Sequence, residues 1–146
     1  MIASFFGRKG HFATVVLEDG RTVTADWYVN RCLPVVLEKI RKQRSQSRII
    51  LHHGNAAHSA KRTVEYLTMA GVEIMSHPPY SPDLAPCDFH LFPRTKDKIR
   101  GICFTSPEDA VKAYENAMEE TPKEEWAHCF SQWFHRLRQC AERNGD

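Results

Sequence analysis

Between Arg48 and Met75 the chain alternates strand, helix and strand, and this stretch restricts the fold more than any other. Arg48-Ile49-Ile50-Leu51-His52 is short and β-branched, with the continuous apolar centre of a strand buried on both faces. Gly54-Asn55 interrupts it. Ala57 to Ala70 then repeats apolar residues at Ala60, Val64, Leu67 and Met69 in helical register, and Gly71 supplies a C-terminal cap. Val72-Glu73-Ile74-Met75 is a second strand. Two strands separated by one helix must lie parallel, with the helix covering one face of the sheet.

The flanking sequence fits around that unit. Ala3 to Phe6 and His11 to Leu17 are β-prone and enclose Gly7-Arg8-Lys9-Gly10, a loop with glycine at both ends, as a hairpin requires. Asp19-Gly20 predicts a second turn, into a strand at Arg21-Thr22-Val23-Thr24, so a three-stranded antiparallel meander is expected and the sheet as a whole is mixed. From about Ala25 to Gln43, Tyr28, Cys32, Val35, Val36 and Ile40 recur at helical spacing, and Pro34 is expected to kink that helix or restart it. His77 to Pro86 holds four prolines in ten residues and is expected to be an ordered or extended loop. A helix can begin near Cys87 or Asp88. Ser106-Pro107-Glu108-Asp109 and Thr121-Pro122-Lys123-Glu124 both read as helix starts. Trp126, Phe130, Trp133, Phe134 and Leu137 give the last helix an aromatic stripe, whose period is that of a buried face rather than of a base-stacking platform.

A length of 146 residues is that of one ordinary domain, expected to span 1–146. Every apolar run is interrupted by charge before the roughly 20 residues a membrane span needs, so no membrane partner is expected. The first residues lack the pattern of a secretory signal. Five cysteines form no CxxC pair and are odd in number, which points to an intracellular, reducing compartment. Residues 1–104 carry 15 Lys and Arg against 9 Asp and Glu, whereas 105–146 carry 5 against 9. A basic body suited to a polyanion therefore precedes an acidic helical tail.

The order of elements is compatible with a ribonuclease H-like α/β fold, and the motifs narrow it. Leu51-His52-His53-Gly54-Asn55-Ala56-Ala57-His58-Ser59-Ala60, and then His77-Pro78-Pro79-Tyr80-Ser81-Pro82-Asp83-Leu84-Ala85-Pro86-Cys87-Asp88-Phe89-His90-Leu91-Phe92, resemble the catalytic core of mariner-type transposases of the Tc1/mariner superfamily. The resemblance continues through Arg100-Gly101, Phe104 and Trp126 to Cys140. It implies a ribonuclease H-like domain for DNA cleavage and strand transfer in DNA transposition, with two Mg²⁺ or Mn²⁺ ions held by three acids. Hard divalent cations demand such oxygen ligands. The family's N-terminal helix-turn-helix region is expected to be absent, leaving a fragment of a decayed or domesticated element. By family, the location is nuclear.

Residue by residue, the three acid positions correspond to Gly7, Gly54 and Asp88, so Asp88 is the remaining catalytic and metal-binding acid. Only 33 residues separate Gly54 from Asp88, one fewer than the family's usual spacing. The copy is therefore expected to be catalytically inactive, with weak metal binding or none. The alternative is a non-catalytic module that binds nucleic acid or a transposase subunit, including a second copy of itself. Glu18, Asp19, Asp26 and Asp83 are the acids near enough in sequence to be considered as substitutes. His52, His53, His58, His77 and His90 raise a zinc site, but their spacing fits no standard zinc motif, and His52 and His53 must face opposite sides of a strand. Positions around the former metal pocket suit His53, His58 and His90 better. For sequence-independent phosphate binding the candidates are Arg8, Lys9, Arg41, Lys42, Arg44, Arg48, Lys61, Arg62, Arg94, Lys96, Lys98 and Arg100.

Overall fold

The computed structural model of the chain describes residues 1–18, 21–45, 47–53, 60–78 and 81–143. Its elements run in order β1 (Ile2–Gly7), β2 (Gly10–Val16), α1 (Ala25–Trp27), a π turn (Tyr28–Cys32), α2 (Leu33–Gln43), β3 (Ile49–His52), α3 (Lys61–Met69) and β4 (Val72–Met75). After the proline loop come a 3-10 turn (Pro82–Leu84), a second π turn (Cys87–Leu91), α4 (Phe92–Ile99), α5 (Pro107–Glu120) and α6 (Lys123–Glu142). The chain forms two compact units, one of residues 1–5 and 12–77 and one of residues 6–11 and 78–146.

The first unit contains the βαβ element. β3 and β4 pair in parallel, with Ile49 opposite Val72, Ile50 opposite Glu73, Leu51 opposite Ile74 and His52 opposite Met75. Ile49, Val72 and Leu67 join Tyr28, Cys32, Leu33, Val36, Leu37, Ile40 and Ala13 in one buried cluster, so the helical segments cover the face to which Ile49 and Val72 point. Gly71 takes φ +74°, and its N–H donates to the Thr68 carbonyl at 3.1 Å, closing α3 as a left-handed cap. Arg41 of α2 donates to the Ala70 carbonyl at 2.8 Å and satisfies another of the orphaned acceptors there.

Proline sets the geometry of two helices in the same way. Pro34 and Pro93 have no N–H and clash with the carbonyl four residues back. Each follows a π turn, in which Leu33 N–H bonds to the Tyr28 carbonyl and Phe92 N–H to the Cys87 carbonyl. Widening the turn by one residue accommodates the ring without breaking the helix. The expected restart at Pro34 therefore takes the form of a continuous helical path with one wide turn.

In the second unit, Leu84, Ala85, Leu91, Tyr114, Ala117, Met118, Trp126, Cys129 and Trp133 are buried. Ser106 caps α5 as expected, accepting from Asp109 N–H at 3.2 Å. Thr121 does not cap α6. Its hydroxyl instead donates back to the Ala117 carbonyl at 2.8 Å, inside a buried corner where Lys98 also points, and Pro122 opens α6 with no side-chain cap.

The α/β fold class is as expected, with one antiparallel hairpin and one parallel pair, but the sheet detail differs. Among the described residues there are two two-stranded sheets, β1 with β2 and β3 with β4. The third strand of the meander is not formed: Arg21, Thr22 and Thr24 are exposed, giving no buried face to hold a ladder. Thr24 instead spends its hydroxyl on capping α1, accepting from Trp27 N–H at 3.1 Å. The turn residues Asp19 and Gly20 lie outside the described residues.

Leu67 is fully buried and Met69, two residues on, is 89% exposed. Leu67→Ala is therefore expected to cost about 2–5 kcal/mol of unfolding free energy. Met69→Ala is expected to stay within about 0.5 kcal/mol. Urea denaturation of both variants checks this.

Candidate functional site

Two of the three positions that the family resemblance marks, Gly7 and Asp88, belong to the second unit, and residues next to each pack on one indole. Gly7 ends β1, and Phe6 beside it sets its ring 5.2 Å from Trp126 and 6.0 Å from Phe130. The turn Arg8-Lys9 is followed by Gly10 at φ +137°, a conformation open to glycine, whose α-carbon faces the edge of the same indole. From the other side His90 lies 6.0 Å from Trp126, edge to face. Trp126 is 2% exposed. The indole thus fixes both the strand end that carries Gly7 and the π turn that carries Asp88.

Asp88 opens its helical segment. Leu84, Ala85 and Pro86 before it are buried, and the Ala85 carbonyl accepts from both Asp88 N–H (2.9 Å) and Phe89 N–H (3.1 Å). Arg136 of α6 clamps the turn, donating to the Asp83 carbonyl at 3.1 Å while its guanidinium lies 4.3 Å from the centre of the Phe89 ring. The Asp88 carboxylate itself is exposed, at the surface end of a rigid support.

That donor set does not fit two divalent ions. Gly7 has no side chain to offer, and Gly54, with His58, lies outside the described residues. The acids considered as substitutes are occupied or face solvent: Glu18 pairs with Arg21 at 3.3 Å, Asp26 with Arg62, and Asp83 is exposed in the 3-10 turn. Asp19 is outside the described residues. Among the described residues no three His, Cys, Asp or Glu side chains converge on one point. The zinc reading finds only a pair of imidazoles: His52 Nε2 lies 3.0 Å from His77 Nδ1, while His53 Nδ1 lies 3.2 Å from the Tyr28 hydroxyl. The two neighbouring histidines do face opposite ways. Burial pushes the Cys87 thiol up to about 11 and the Cys32 and Cys129 thiols up to about 12, so none is a thiolate at neutral pH.

The basic candidates separate into two groups. Arg41 is bound to the Ala70 carbonyl, Arg48 forms a two-pronged pair with Glu73, and Arg62 bonds to Asp26 and, at 3.2 Å, to Asn30. Arg94 pairs with Glu125, Lys98 donates to the Ala117 carbonyl at 3.1 Å, and Arg100 pairs with Asp97 at 3.0 Å. Lys42 and Lys61 pair with the acids Glu38 and Glu65 one helical turn away. Arg44 is half-buried. Arg8, Lys9 and Lys96 are exposed, and no ion pair ties them among the described residues.

The fold groups three residues that the sequence offered only separately. His90, Arg94 and Lys98 recur every fourth residue on one helical face and, with Phe89, Pro93 and Asp97, line a cleft of about 440 Å³. Burial and the Arg94 charge hold the His90 imidazole below its ordinary pKa. The i, i+4, i+8 spacing of three basic residues after Asp88 was the available signal.

No protein-family model matches the chain. It is 27% identical over 150 residues to the histone-lysine N-methyltransferase SETMAR of Homo sapiens, covering 99% of this chain and 22% of that protein. It is 33% identical over 117 residues to the Mariner Mos1 transposase of Drosophila mauritiana, covering 77% of this chain and 34% of that one. The crystal structure of the catalytic domain of Mos1 mariner transposase superposes with a TM-score of 0.89 at 26% identity, over 99% of this chain and 74% of that chain. The Mos1 mariner paired-end complex with Mn gives 0.90 at 26% identity, over 99% and 44%. The chain belongs to the mariner-type transposases, in their catalytic domain. It spans about a fifth and about a third of the length of these two relatives. The mariner-type catalytic domain therefore has the ribonuclease H-like fold here.

Replacing Trp126 by alanine is expected to cost about 3–5 kcal/mol, because the indole is buried and touches three segments. Phe134, 47% exposed on the same helix, should lose under about 1 kcal/mol as Phe134→Ala. Equal losses in chemical denaturation would contradict the assignment of Trp126 as the shared support.

Proposed function

We propose that this domain descends from a DNA-cleaving and strand-transferring transposase and now acts as a non-catalytic binder of DNA. The observation that carries the reading is Gly7 at the end of β1, where the family's pattern calls for a metal-binding acid. Two-metal catalysis stabilises the attacking and leaving oxygens of a phosphodiester at once, and it fails when the carboxylates that hold the ions are missing. Solved structures of the Mos1 catalytic domain with Mg and with Mn support divalent-metal use in the family. In this chain Asp88 alone keeps that ligand type, so any divalent ion it holds is weakly bound.

DNA contact needs no metal. Arg8 and Lys9 project from the hairpin turn and Lys96 from α4, all in the second unit and all exposed. Phosphate contacts by such side chains position a duplex without reading its sequence. A Mos1 paired-end complex with the left transposon end is among the similar solved structures and supports DNA as the partner class. A nuclear location accords with that role.

Purified protein is expected to leave supercoiled and linear DNA uncut in Mg²⁺ or Mn²⁺. It should bind unrelated duplexes equally, with affinity falling steeply between about 50 and 200 mM salt. Arg8→Gln and Lys9→Gln should each reduce the slope of log affinity against log salt by about 1, whereas Arg48→Gln, already paired to Glu73, should not. Cleavage that disappears with Asp88→Ala would overturn the non-catalytic reading. A salt-independent affinity would overturn the DNA-binding one.

A further inference from the structure

A pair of imidazoles stands at the end of the parallel strands. His52 closes β3 and stands opposite Met75 in the β3–β4 register. In a parallel pair, partnered residues have α-carbons about 5 Å apart and project their side chains to the same face. His77 lies two residues beyond Met75, and its Nδ1, 3.0 Å from His52 Nε2, places it on that face too. The rings meet nearly at right angles, with centroids 4.8 Å apart. All three residues are partly buried.

We propose that His52, Met75 and His77 form a binding site for Cu(I). Two imidazole nitrogens sharing one first-row ion at about 2.0–2.1 Å lie roughly 3.3 Å apart, so the observed pair needs to open by only a few tenths of an ångström. The thioether of Met75 supplies the third donor, and a thioether selects a soft cation over Mg²⁺, Mn²⁺ or Ca²⁺. A neutral imidazole is the ligating form. One ring donates a hydrogen bond to the other in the metal-free pair. On binding, that ring's proton moves to its other nitrogen, and no net charge is lost from the protein.

This site differs in donor type from the divalent-metal positions that the family resemblance marks at Gly7, Gly54 and Asp88: its donors are nitrogen and sulfur, whereas Mg²⁺ and Mn²⁺ take oxygen ligands.

The test is anaerobic competition for Cu(I) against the chromophoric chelator bicinchoninate. The protein carries Cys103→Ser and Cys140→Ser, because accessible thiols compete for the same ion. Variants His77→Gln and Met75→Leu are compared with His128→Gln, an exposed histidine on α6, and all are checked by thermal unfolding for an intact fold. The parent and His128→Gln should hold one equivalent of Cu(I) that is at least tenfold weaker in each of the other two. Copper X-ray absorption of the loaded parent should show nitrogen and sulfur ligation, with the sulfur contribution reduced in Met75→Leu. Affinity unchanged in either His77→Gln or Met75→Leu would overturn the proposal.

Discussion

Burial of one indole holds the functional end of this domain in place. Trp126 sits beneath Phe6, one residue before Gly7, and against His90, two residues after Asp88. An aromatic ring of that size removes a large apolar surface from water, and its edge and face geometry fixes its neighbours more narrowly than an aliphatic side chain would. Arg136 adds a second restraint from the same helix by holding the Asp83 carbonyl and covering Phe89. Neither interaction involves the atoms that would carry chemistry.

On the proposed reading, that separation lets a catalytic-domain fold persist with an incomplete set of ligands. The support is apolar and belongs to folding stability, while a metal-binding carboxylate at the end of a strand is exposed and contributes to function at some electrostatic cost. Exchanging such an acid for glycine at Gly7 removes a ligand and leaves the packing of Phe6 untouched. The same logic applies to the exposed Asp88 carboxylate, which its π turn presents without burying it. Trp126 packs against both the hairpin turn and the helix start.

Much of this was legible from residue pattern because burial and periodicity determine it. The parallel β3–β4 pair followed from the alternation between Arg48 and Met75, and the opposite orientation of His52 and His53 from the two-residue period of a strand. Where competition between local hydrogen bonds decided the outcome, pattern was insufficient. Thr24 and Thr121 both look like residues of the elements predicted for them, a strand and a helix cap, yet the hydroxyl of Thr24 caps α1 and that of Thr121 bonds back into α5. Pro34 signalled a break, but the π turn that absorbs it depends on the ring's clash with a particular carbonyl. The site positions Gly7 and Asp88 were reached through motif resemblance, and the packing of their neighbours Phe6 and His90 on Trp126 required the fold. Charge clusters were the least legible, since Arg41, Arg48 and Arg94 read as phosphate binders but are spent on a carbonyl and two carboxylates.

The central claim is that the framework of the site remains while its ligands are incomplete, and restoring one ligand tests it most directly. Gly7→Asp should place a second carboxylate on the Trp126-supported surface beside Asp88. Paramagnetic broadening of amide NMR signals by Mn²⁺ reports where the ion resides. In Gly7→Asp, signals around residue 7 and around Asp88 should broaden together at lower Mn²⁺ than in the parent, and adding Asp88→Asn should abolish the joint effect. Broadening that is identical in the parent and Gly7→Asp, or that affects residue 7 without Asp88, would contradict the account.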